Sequence, residues 1–351
     1  MDPVRVGVLG VGGLANKLHL PQLQKMEDVK VTWLAGYQRD SVVSLADLYS
    51  VQRWTLDYRE VLADPTVDAV ILTVPHPLRV TTALEALAAG KHVLVQTPLT
   101  TSMAEADALA AAAGTAGRTV MCLPHFGPEV HRARETVVKG EIGRPSGGHC
   151  RVSHGGPEVF YAGVRDVFGE VTTDQWYYDA GRSAVGALFD AGVYAVSALV
   201  SVLGSVVRVM GLTATLNKPT TLEDTASLLL QFENGALGTV ETGWCDPART
   251  WELSAHGTQG KLTIPGPRGE RLAQWVPGSY TRDDAPPTVT AVDLTQIVVG
   301  DAHTAFVRCI REGVQPTLAN AQTARHVTEI LLAATGSAQL GQAVEIVSRL
   351  A

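Results

Sequence analysis

The sequence predicts an α/β protein of two domains: a parallel sheet, followed by an α+β domain with a large open, mainly antiparallel sheet. The chain has 351 residues, whereas a single domain usually has about 100–200. Its first third alternates apolar runs with helical patterns, which is typical of parallel strands joined by helices. After Pro124 the apolar runs are longer and follow one another directly, as antiparallel strands do. We therefore place the domains at residues 1–124 and 125–351.

The first domain is predicted to contain five strands separated by helices. The strands are Val4–Leu9, Val29–Ala35, Ala69–Val74, His92–Val95 and Thr119–Leu123. The run Val4–Leu9 is continuously apolar, as expected for a strand covered on both faces. Helical patterns lie over Leu18–Met26, Ser41–Tyr49, Tyr58–Leu62, Val80–Ala89 and Met103–Ala113.

The second domain is predicted to be a sheet with one long helix on a face. Helix Gly186–Leu203 lies between strand patterns, and Asn234-Gly235 is a strong hairpin signal. The tail is helical over Ala302–Glu312 and Ala321–Leu340. The other predicted elements are helix Glu129–Lys139 and strands Gly148–His154, Val206–Leu216, Thr225–Phe232, Ala236–Thr242, Thr250–His256, Lys261–Ile264 and Leu272–Val276.

Composition excludes several classes of protein. The formal net charge is −7 and there is no long Lys/Arg block, which argues against nucleic acid as a partner. The four cysteines are far apart in the sequence, which favours a reducing compartment, and we expect a cytoplasmic protein. We expect no signal peptide, because Val4–Leu14 has the pattern of a buried strand that continues into a glycine-rich turn. The apolar run Val193–Met210 is too interrupted to span a membrane.

A glycine-rich turn follows the first strand. The run Gly10-Val11-Gly12-Gly13-Leu14-Ala15 fits the pattern G-x-G-x-x-G/A. The first glycine permits a tight turn, the second permits close approach of a pyrophosphate, and a small third residue lets the helix pack on the strand. The alternative is a plain strand–turn–helix corner. Because the turn opens a series of strand–helix units, we predict a dinucleotide site.

The residues after the second strand bear on the choice of nucleotide. An acidic residue that binds the adenosine ribose is expected near Gly36, but the stretch reads Gly36-Tyr37-Gln38-Arg39. Arg39 is placed where a 2′-phosphate would lie, which favours NADP over NAD. The alternative for Arg39 is an ordinary solvated charge.

Several further segments resemble the glucose–fructose oxidoreductase/inositol dehydrogenase (Gfo/Idh/MocA) family in their order and spacing. The resemblance covers nearly the whole chain. It rests on the glycine turn and on His19-Leu20-Pro21, Ala69–Pro75, Ala89-Gly90-Lys91-His92-Val93, Pro98-Leu99, Phe126-Gly127-Pro128, Gly140–Gly143 and Gly186–Tyr194.

The resemblance implies a Rossmann domain, an open-sheet second domain, and hydride transfer between NAD(P) and a sugar, polyol or related cyclic alcohol. The small-molecule substrate would be held by Asp190 and Tyr194, with Trp176 and Tyr178 as walls of its site. The candidate cofactor-binding residues are Gly10, Gly12, Gly13, Leu14, Ala15, Tyr37, Arg39, Val74, Pro75, His76, Arg79, Gln96 and Thr97.

The catalytic positions depart from the family pattern. The family's Glu-Lys-Pro is Gln96-Thr97-Pro98 here, so the lysine that assists the proton of the reacting hydroxyl is Thr97. Tyr194 stands where the family motif commonly ends in His, and His125 where Arg is usual. Asp190, Tyr194, Thr97 and His125 are thus the candidate catalytic residues. The alternative is that Asp190 caps a helix and Tyr194 belongs to the core.

Three functions follow from this pattern. The first is an NAD(P)-dependent dehydrogenase or reductase acting on CH–OH groups. The second is an NAD-dependent glycosidase or lyase with no net redox change, and the third is a non-catalytic nucleotide-binding sensor. We expect no metal, because His149 and His154 are five apart on a strand and point to opposite faces. We expect a homodimer or homotetramer through the open sheet, with Leu228, Leu230 and Phe232 at the interface.

Overall fold

A computed structural model describes residues 2–160, 176–181, 183, 185–266, 269–276 and 288–350, and not the side chains of Phe160 and Trp176. Contacts divide these residues into two units. The first unit contains residues 2–125, 158–160 and 300–328, and the second contains the rest. The segment from Gly300 thus packs with the first unit, whereas the predicted division put it in the second domain. Its contacts include a hydrogen bond from Cys122 N to Ala319 O of 2.8 Å.

The first unit is built on a six-stranded sheet in the order β3-β2-β1-β4-β5-β6, with every pairing parallel. The expected Rossmann-type sheet is therefore confirmed. The sequence missed β3, because Arg53–Thr55 is too short to show an alternating pattern and pairs only with β2. The strands are β1 Val4–Leu9, β2 Val29–Ala35, β3 Arg53–Thr55, β4 Ala69–Leu72, β5 His92–Val95 and β6 Val120–Cys122.

Helices follow most strands of this sheet. A π-helical turn over Ala15–His19 continues directly into α1. Helix α4 begins at His76, four residues before the predicted start, since Pro77 is tolerated in a first helical turn, where its missing N–H has no helical partner. This start brings His76 and Arg79 to the end of β4. The helices are α1 Leu20–Leu23, α2 Arg39–Leu48, α3 Tyr58–Ala63, α4 His76–Ala88 and α5 Met103–Thr115.

Both faces of the parallel sheet are buried. Val6 and Val8 of β1 pack with Ile71 on one face, while Val70 and Leu72 of β4 belong to the core on the other. Since both faces are covered, ligands reach such a sheet at the carboxyl ends of its strands.

The second unit contains a nine-stranded sheet in the order β14-β13-β12-β11-β7-β10-β9-β8-β15. The pair β7–β10 is parallel and the other pairs are antiparallel, which confirms the predicted mainly antiparallel sheet. The strands are β7 Pro145–Ser153, β8 Val206–Ala214, β9 Thr225–Phe232, β10 Leu237–Gly243, β11 Thr250–Gly257, β12 Gly260–Ile264, β13 Ala273–Val276, β14 Thr288–Ala291 and β15 Val344–Glu345.

The predicted helix Gly186–Leu203 is divided in two at Ala191. A Cβ on Gly192 would lie 3.0 Å from Thr242 Cγ2 of β10, so this glycine lets the helix pack closely on its own sheet. The remaining helices are α6 Pro128–Val138, α7 Pro157–Phe160, α8 Ala187–Asp190, α9 Gly192–Leu203, α10 Ala302–Glu312 and α11 Ala321–Leu340, with a 3₁₀ turn at Trp176–Tyr178.

The expected interface residues lie on the wrong face of the sheet. Leu228, Leu230 and Phe232 are only 1–2% exposed, because they point into the core beneath the helices. Leu229, between them, is 59% exposed. Strand side chains alternate between faces, so the apolar residues that the sequence suggested for an interface are core residues. Among the described helices, none is both long enough and apolar enough to cross a membrane.

Candidate functional site

The glycine turn after β1 leaves room at its backbone. Gly10 has a φ of +102°, and a Cβ there would collide with the backbone of Val74. A Cβ on Gly12, by contrast, would meet no atom within 4 Å. Ala15 is fully buried, as the third position of the motif requires. Gly12 therefore borders open space at the carboxyl end of the sheet, where the backbone can approach a phosphate.

The position after β2 has no room for the acidic residue expected there. A Cβ on Gly36 would lie 2.6 Å from Val11 Cγ2 and 2.8 Å from Val42 Cγ2. Tyr37, the next residue, is 77% exposed. Arg39 begins α2, and its guanidinium lies 4.9 Å from the ring centroid of Trp54.

Four buried polar atoms in the first unit lack a hydrogen-bond partner within the described part of the chain: His19 Nε2, His76 Nε2, Gln96 Oε1 and Thr97 Oγ1. Gln96 and Thr97 follow β5, and His76 follows β4. Buried polar atoms are normally hydrogen-bonded, so orphaned atoms grouped at the carboxyl ends of strands indicate a polar ligand.

Arg79 joins the two loops that carry these atoms. It is 7% exposed. Its Nε donates to Val74 O at 3.0 Å, and its Nη1 donates to Pro98 O at 2.5 Å. Burial, and secondly the charge of Arg79, lowers the pKa of His76 to about 4. Because Arg79 is fixed by backbone carbonyls, it places a cation beside the position where the family has its lysine.

Two buried histidines form a contact that the sequence did not predict. His19 Nδ1 and His303 Nε2 are 2.9 Å apart, and His303 Nδ1 lies 3.3 Å from Asp301 Oδ1. If His303 Nδ1 carries its proton toward Asp301, its Nε2 accepts from His19, and His19 Nε2 is then an acceptor. Burial, and secondly His303, lowers the pKa of His19 to about 3. Both rings are therefore neutral near pH 7.

Two other basic residues lie in different surroundings. His125 Nε2 is 3.2 Å from Gly300 O, and burial lowers the pKa of His125. Lys91 Nζ donates to the carbonyls of Asp64 and Val67 at 2.7 and 2.9 Å. Since Lys91 precedes β5, it lies at the amino end of that strand, whereas Arg79 bonds the carbonyl of Pro98, directly after Gln96 and Thr97.

The residues at the carboxyl edge fit a dinucleotide. Gly12 offers open backbone for the pyrophosphate, and Arg39 and Tyr37 follow β2 on one side of it. The orphaned atoms of His76, Gln96 and Thr97 lie after β4 and β5, on the other side in the strand order.

In the second unit, Asp190 is held by two donors that the sequence gave no reason to select. Its Oδ2 accepts from Trp244 Nε1 at 2.8 Å and lies 3.2 Å from His154 Nε2. His154 Nδ1 accepts from Gly156 N at 3.0 Å, which assigns the ring proton to Nε2. Among the described residues, none bonds Asp190 Oδ1.

Aromatic side chains pack around the Trp244 ring, which binds the carboxylate of Asp190. Trp244 is fully buried, and its ring centroid lies 5.7 Å from that of Tyr178 in an edge-to-face arrangement. Tyr178 is 7% exposed, so its ring belongs largely to this packing. Tyr194 is half-buried in the first turn of α9. The side chain of Trp176 lies outside the described residues.

The alternative role for Asp190, a helix cap, has no support in the geometry. Asp190 ends α8, and the residue before α9 makes no side-chain capping bond. Within the described ranges, no group of three or more His, Cys, Asp or Glu is arranged to hold a metal ion.

Comparison with known proteins finds two family models that match successive parts of the chain. A family model described as an oxidoreductase family with an NAD-binding Rossmann fold matches residues 4–123. A second model, the GFO/IDH/MocA C-terminal domain, matches residues 130–263.

The alignments with named relatives extend over almost the entire length of the chain. The chain is 25% identical to scyllo-inositol 2-dehydrogenase (NAD(+)) of Bacillus subtilis, covering 98% of this chain and 96% of that protein. It is 27% identical to D-xylose 1-dehydrogenase (NADP(+)) 2 of Haloferax volcanii, covering 97% and 99%. Its fold resembles that of GenD2 from gentamicin A biosynthesis in complex with NAD, with a TM-score of 0.78, 24% identity and coverage of 99% and 97%.

The glycine turn, the sheet order and both family models therefore agree, and the chain belongs to the Gfo/Idh/MocA family of NAD(P)-dependent oxidoreductases.

Proposed function

We propose that this protein transfers a hydride between NAD(P) and a sugar, polyol or related cyclic alcohol. The observation that carries the proposal is the group of orphaned buried polar atoms at the carboxyl ends of β4 and β5, beside the open glycine turn. The dehydrogenase names of the relatives, one for an inositol and one for a pentose, support the substrate class.

The first unit would hold the dinucleotide. Gly10–Ala15 would face its pyrophosphate, and Tyr37 and Arg39 its adenosine ribose. Val74–His76, Arg79, Gln96 and Thr97 would surround its other half. When bound, the nicotinamide would supply the acceptor or donor of the hydride.

The second unit would hold the substrate. Asp190 Oδ1 would accept a substrate hydroxyl, while Trp244 and His154 keep the carboxylate in a single orientation. Tyr194 would donate or accept the proton of the reacting oxygen. Thr97 cannot carry a positive charge. Arg79, which bonds the carbonyl of the next residue, Pro98, would supply a cation near this position, and His125 is a second candidate proton carrier.

The two other candidate functions predict different experimental results. A glycosidase or lyase would turn over substrate with no net change in NAD(P)H absorbance. A sensor would bind nucleotide without turnover. The relatives named above are dehydrogenases, which favours the first function. We also propose NADP as the preferred nucleotide, because Gly36 excludes an acidic side chain and Arg39 is placed after β2.

The test starts with nucleotide released from the purified protein by denaturation, identified by mass and absorbance. Inositols, pentoses and hexoses are then screened for NAD(P)H formation. Asp190→Asn should lower kcat/KM by roughly tenfold or more, because a hydrogen bond to a charged acceptor is lost. Asp47→Asn, at an exposed position of α2, is the control. Absence of nucleotide binding, or turnover without absorbance change, would overturn the proposal.

A further inference from the structure

The helix that carries Asp190, α8, is too short to be stable by itself. It consists of one turn, Ala187–Asp190, and a single turn fixes several residues for very few hydrogen bonds. The first N–H groups of a helix have no partner within it, and Gly186, the residue before α8, has no side chain with which to cap them. Contacts from outside the helix must therefore fix α8 and the carboxylate at its end.

Glu223, which lies just before β9, supplies such contacts at the start of α8. Its Oε1 accepts from Leu188 N at 3.1 Å, and its backbone oxygen accepts from Ala187 N at 2.9 Å. A Cβ on Gly186 would collide with the same backbone oxygen and with the carboxyl group of Glu223. Glu223 thus does the work of an N-cap residue, although it lies 35 positions from Leu188 in the sequence.

Asp224, the next residue, holds the donor that bonds Asp190. The backbone oxygen of Asp224 accepts from Trp244 N at 2.7 Å, and the indole of Trp244 donates to Asp190 Oδ2 at 2.8 Å. The carboxylate of Asp224 is fully buried and accepts from the backbone N–H groups of residues 216–218. Asp224 is therefore fixed, and both partners of the bond between Asp190 and Trp244 are attached to one dipeptide.

We propose that Glu223 is a positioning residue for the reaction: by capping α8, it fixes the carboxylate of Asp190 in the orientation that binds a substrate hydroxyl. This role rests on the proposed function, in which Asp190 holds the substrate. The carboxyl group of Glu223 faces the backbone of α8, so it acts through Asp190. Small displacements of a group that orients the substrate cost large factors in rate.

The first test compares two substitutions at Glu223 in the whole protein. Glu223→Ala removes the acceptor for Leu188 N and should lower kcat/KM on the order of tenfold, mainly through a higher KM, because Asp190 binds the substrate. Glu223→Gln keeps a side-chain oxygen at the same reach and should stay within about threefold of the wild-type value. Rescue by glutamine separates capping from a requirement for negative charge.

The second test needs no substrate. The Nε1–H resonance of Trp244 in the NMR spectrum reports its hydrogen bond to Asp190, and it is identified among the six tryptophans by its loss in Trp244→Phe. This resonance should move in Glu223→Ala and keep its position in Glu223→Gln. Gly186→Ala, whose Cβ collides with Glu223, should move it as well, and this variant keeps the test decisive if Glu223→Ala does not fold.

Glu329→Ala is the matched control. Glu329 also belongs to the second unit and also accepts from backbone N–H groups, those of Val347 and Ser348, at 2.7 and 3.0 Å. Because these groups belong to a different segment, Glu329→Ala should change neither KM nor the Trp244 resonance.

Three results would overturn the role of Glu223 while leaving the proposed function intact. They are a Trp244 resonance that neither Glu223→Ala nor Gly186→Ala moves, an equal loss of kcat/KM in Glu223→Ala and Glu223→Gln, and an equal rise of KM in Glu329→Ala. Absence of dinucleotide binding and turnover in the wild-type protein would overturn the proposed function, and the resonance would still decide whether Glu223 positions Asp190.

Discussion

At the scale of single residues, close packing around Gly36 excludes an acidic side chain there, and Arg39 lies nearby instead. Gly36 cannot be replaced by Asp or Glu without displacing Val11 and Val42, so this chain has no carboxylate at the usual ribose position. The adjacent surface instead presents Arg39, stacked on Trp54. A guanidinium on an aromatic face loses less freedom when it binds a phosphate, because its plane is already oriented.

We therefore expect Arg39→Gln to weaken binding of NADP(H) by about tenfold while leaving NAD(H) binding within about twofold, since only the former has a 2′-phosphate. Titration calorimetry with the four nucleotides measures this difference. Arg53→Gln is a suitable control, because Arg53 also stacks on a tryptophan, at 4.9 Å from the Trp33 ring centroid. Equal losses for both nucleotides would contradict the assignment of Arg39.

At the scale of elements, the nine-stranded sheet has one face under helices and one face with exposed apolar side chains. We define the sheet patch as Met210, Leu212, Leu229 and Leu237, which are 38%, 67%, 59% and 64% exposed. Met210 and Leu229 are direct cross-strand partners. A contiguous apolar patch of this kind is typical of an interface, and we propose a second copy of this chain as its occupant.

Leu229→Glu should convert the assembly to a monomer, because burying a carboxylate in an apolar interface is costly. Light scattering coupled to size-exclusion chromatography gives the molar mass directly. Leu48→Glu, at a 53% exposed position on α2, is the control and should leave the mass unchanged. A wild-type monomer, or an oligomer that survives Leu229→Glu, would rule out the sheet patch as the interface.

At the scale of the whole molecule, buried neutral histidines link stability to pH. Burial lowers the pKa of His19 to about 3 and that of His76 to about 4. In the unfolded chain both titrate near the ordinary value of about 6.5. Below that pH the unfolded state binds protons that the folded state does not, so stability present above about pH 6.5 is lost as the pH falls toward 4.

On acidification from pH 7 to pH 5, each histidine should lower the free energy of unfolding by about 2 kcal/mol. Urea unfolding followed by circular dichroism at several pH values gives the slope of the free energy of unfolding against pH. His19→Gln should lower the number of protons taken up on unfolding by close to one, and His76→Gln should do the same. A slope that neither substitution changes would show that these rings do not control acid stability.

The sequence alone determined the two kinds of sheet, because strand alternation, helix periodicity and turn residues are local patterns. It also located the glycine turn, whose φ of +102° at Gly10 only glycine adopts readily. Local pattern did not distinguish the faces of β9, so Leu228, Leu230 and Phe232 were assigned to an interface although they are buried.

Only the tertiary structure decided which distant side chains meet. Trp244 reaches Asp190 across 54 positions of sequence, and His303 reaches His19 across 284. No local pattern encodes such contacts, because each results from the packing of whole elements. The Arg79 guanidinium likewise joins two loops, through the carbonyls of Val74 and Pro98. A residue's chemistry is set by its neighbours' charge and burial, and these are fixed only when the chain is folded.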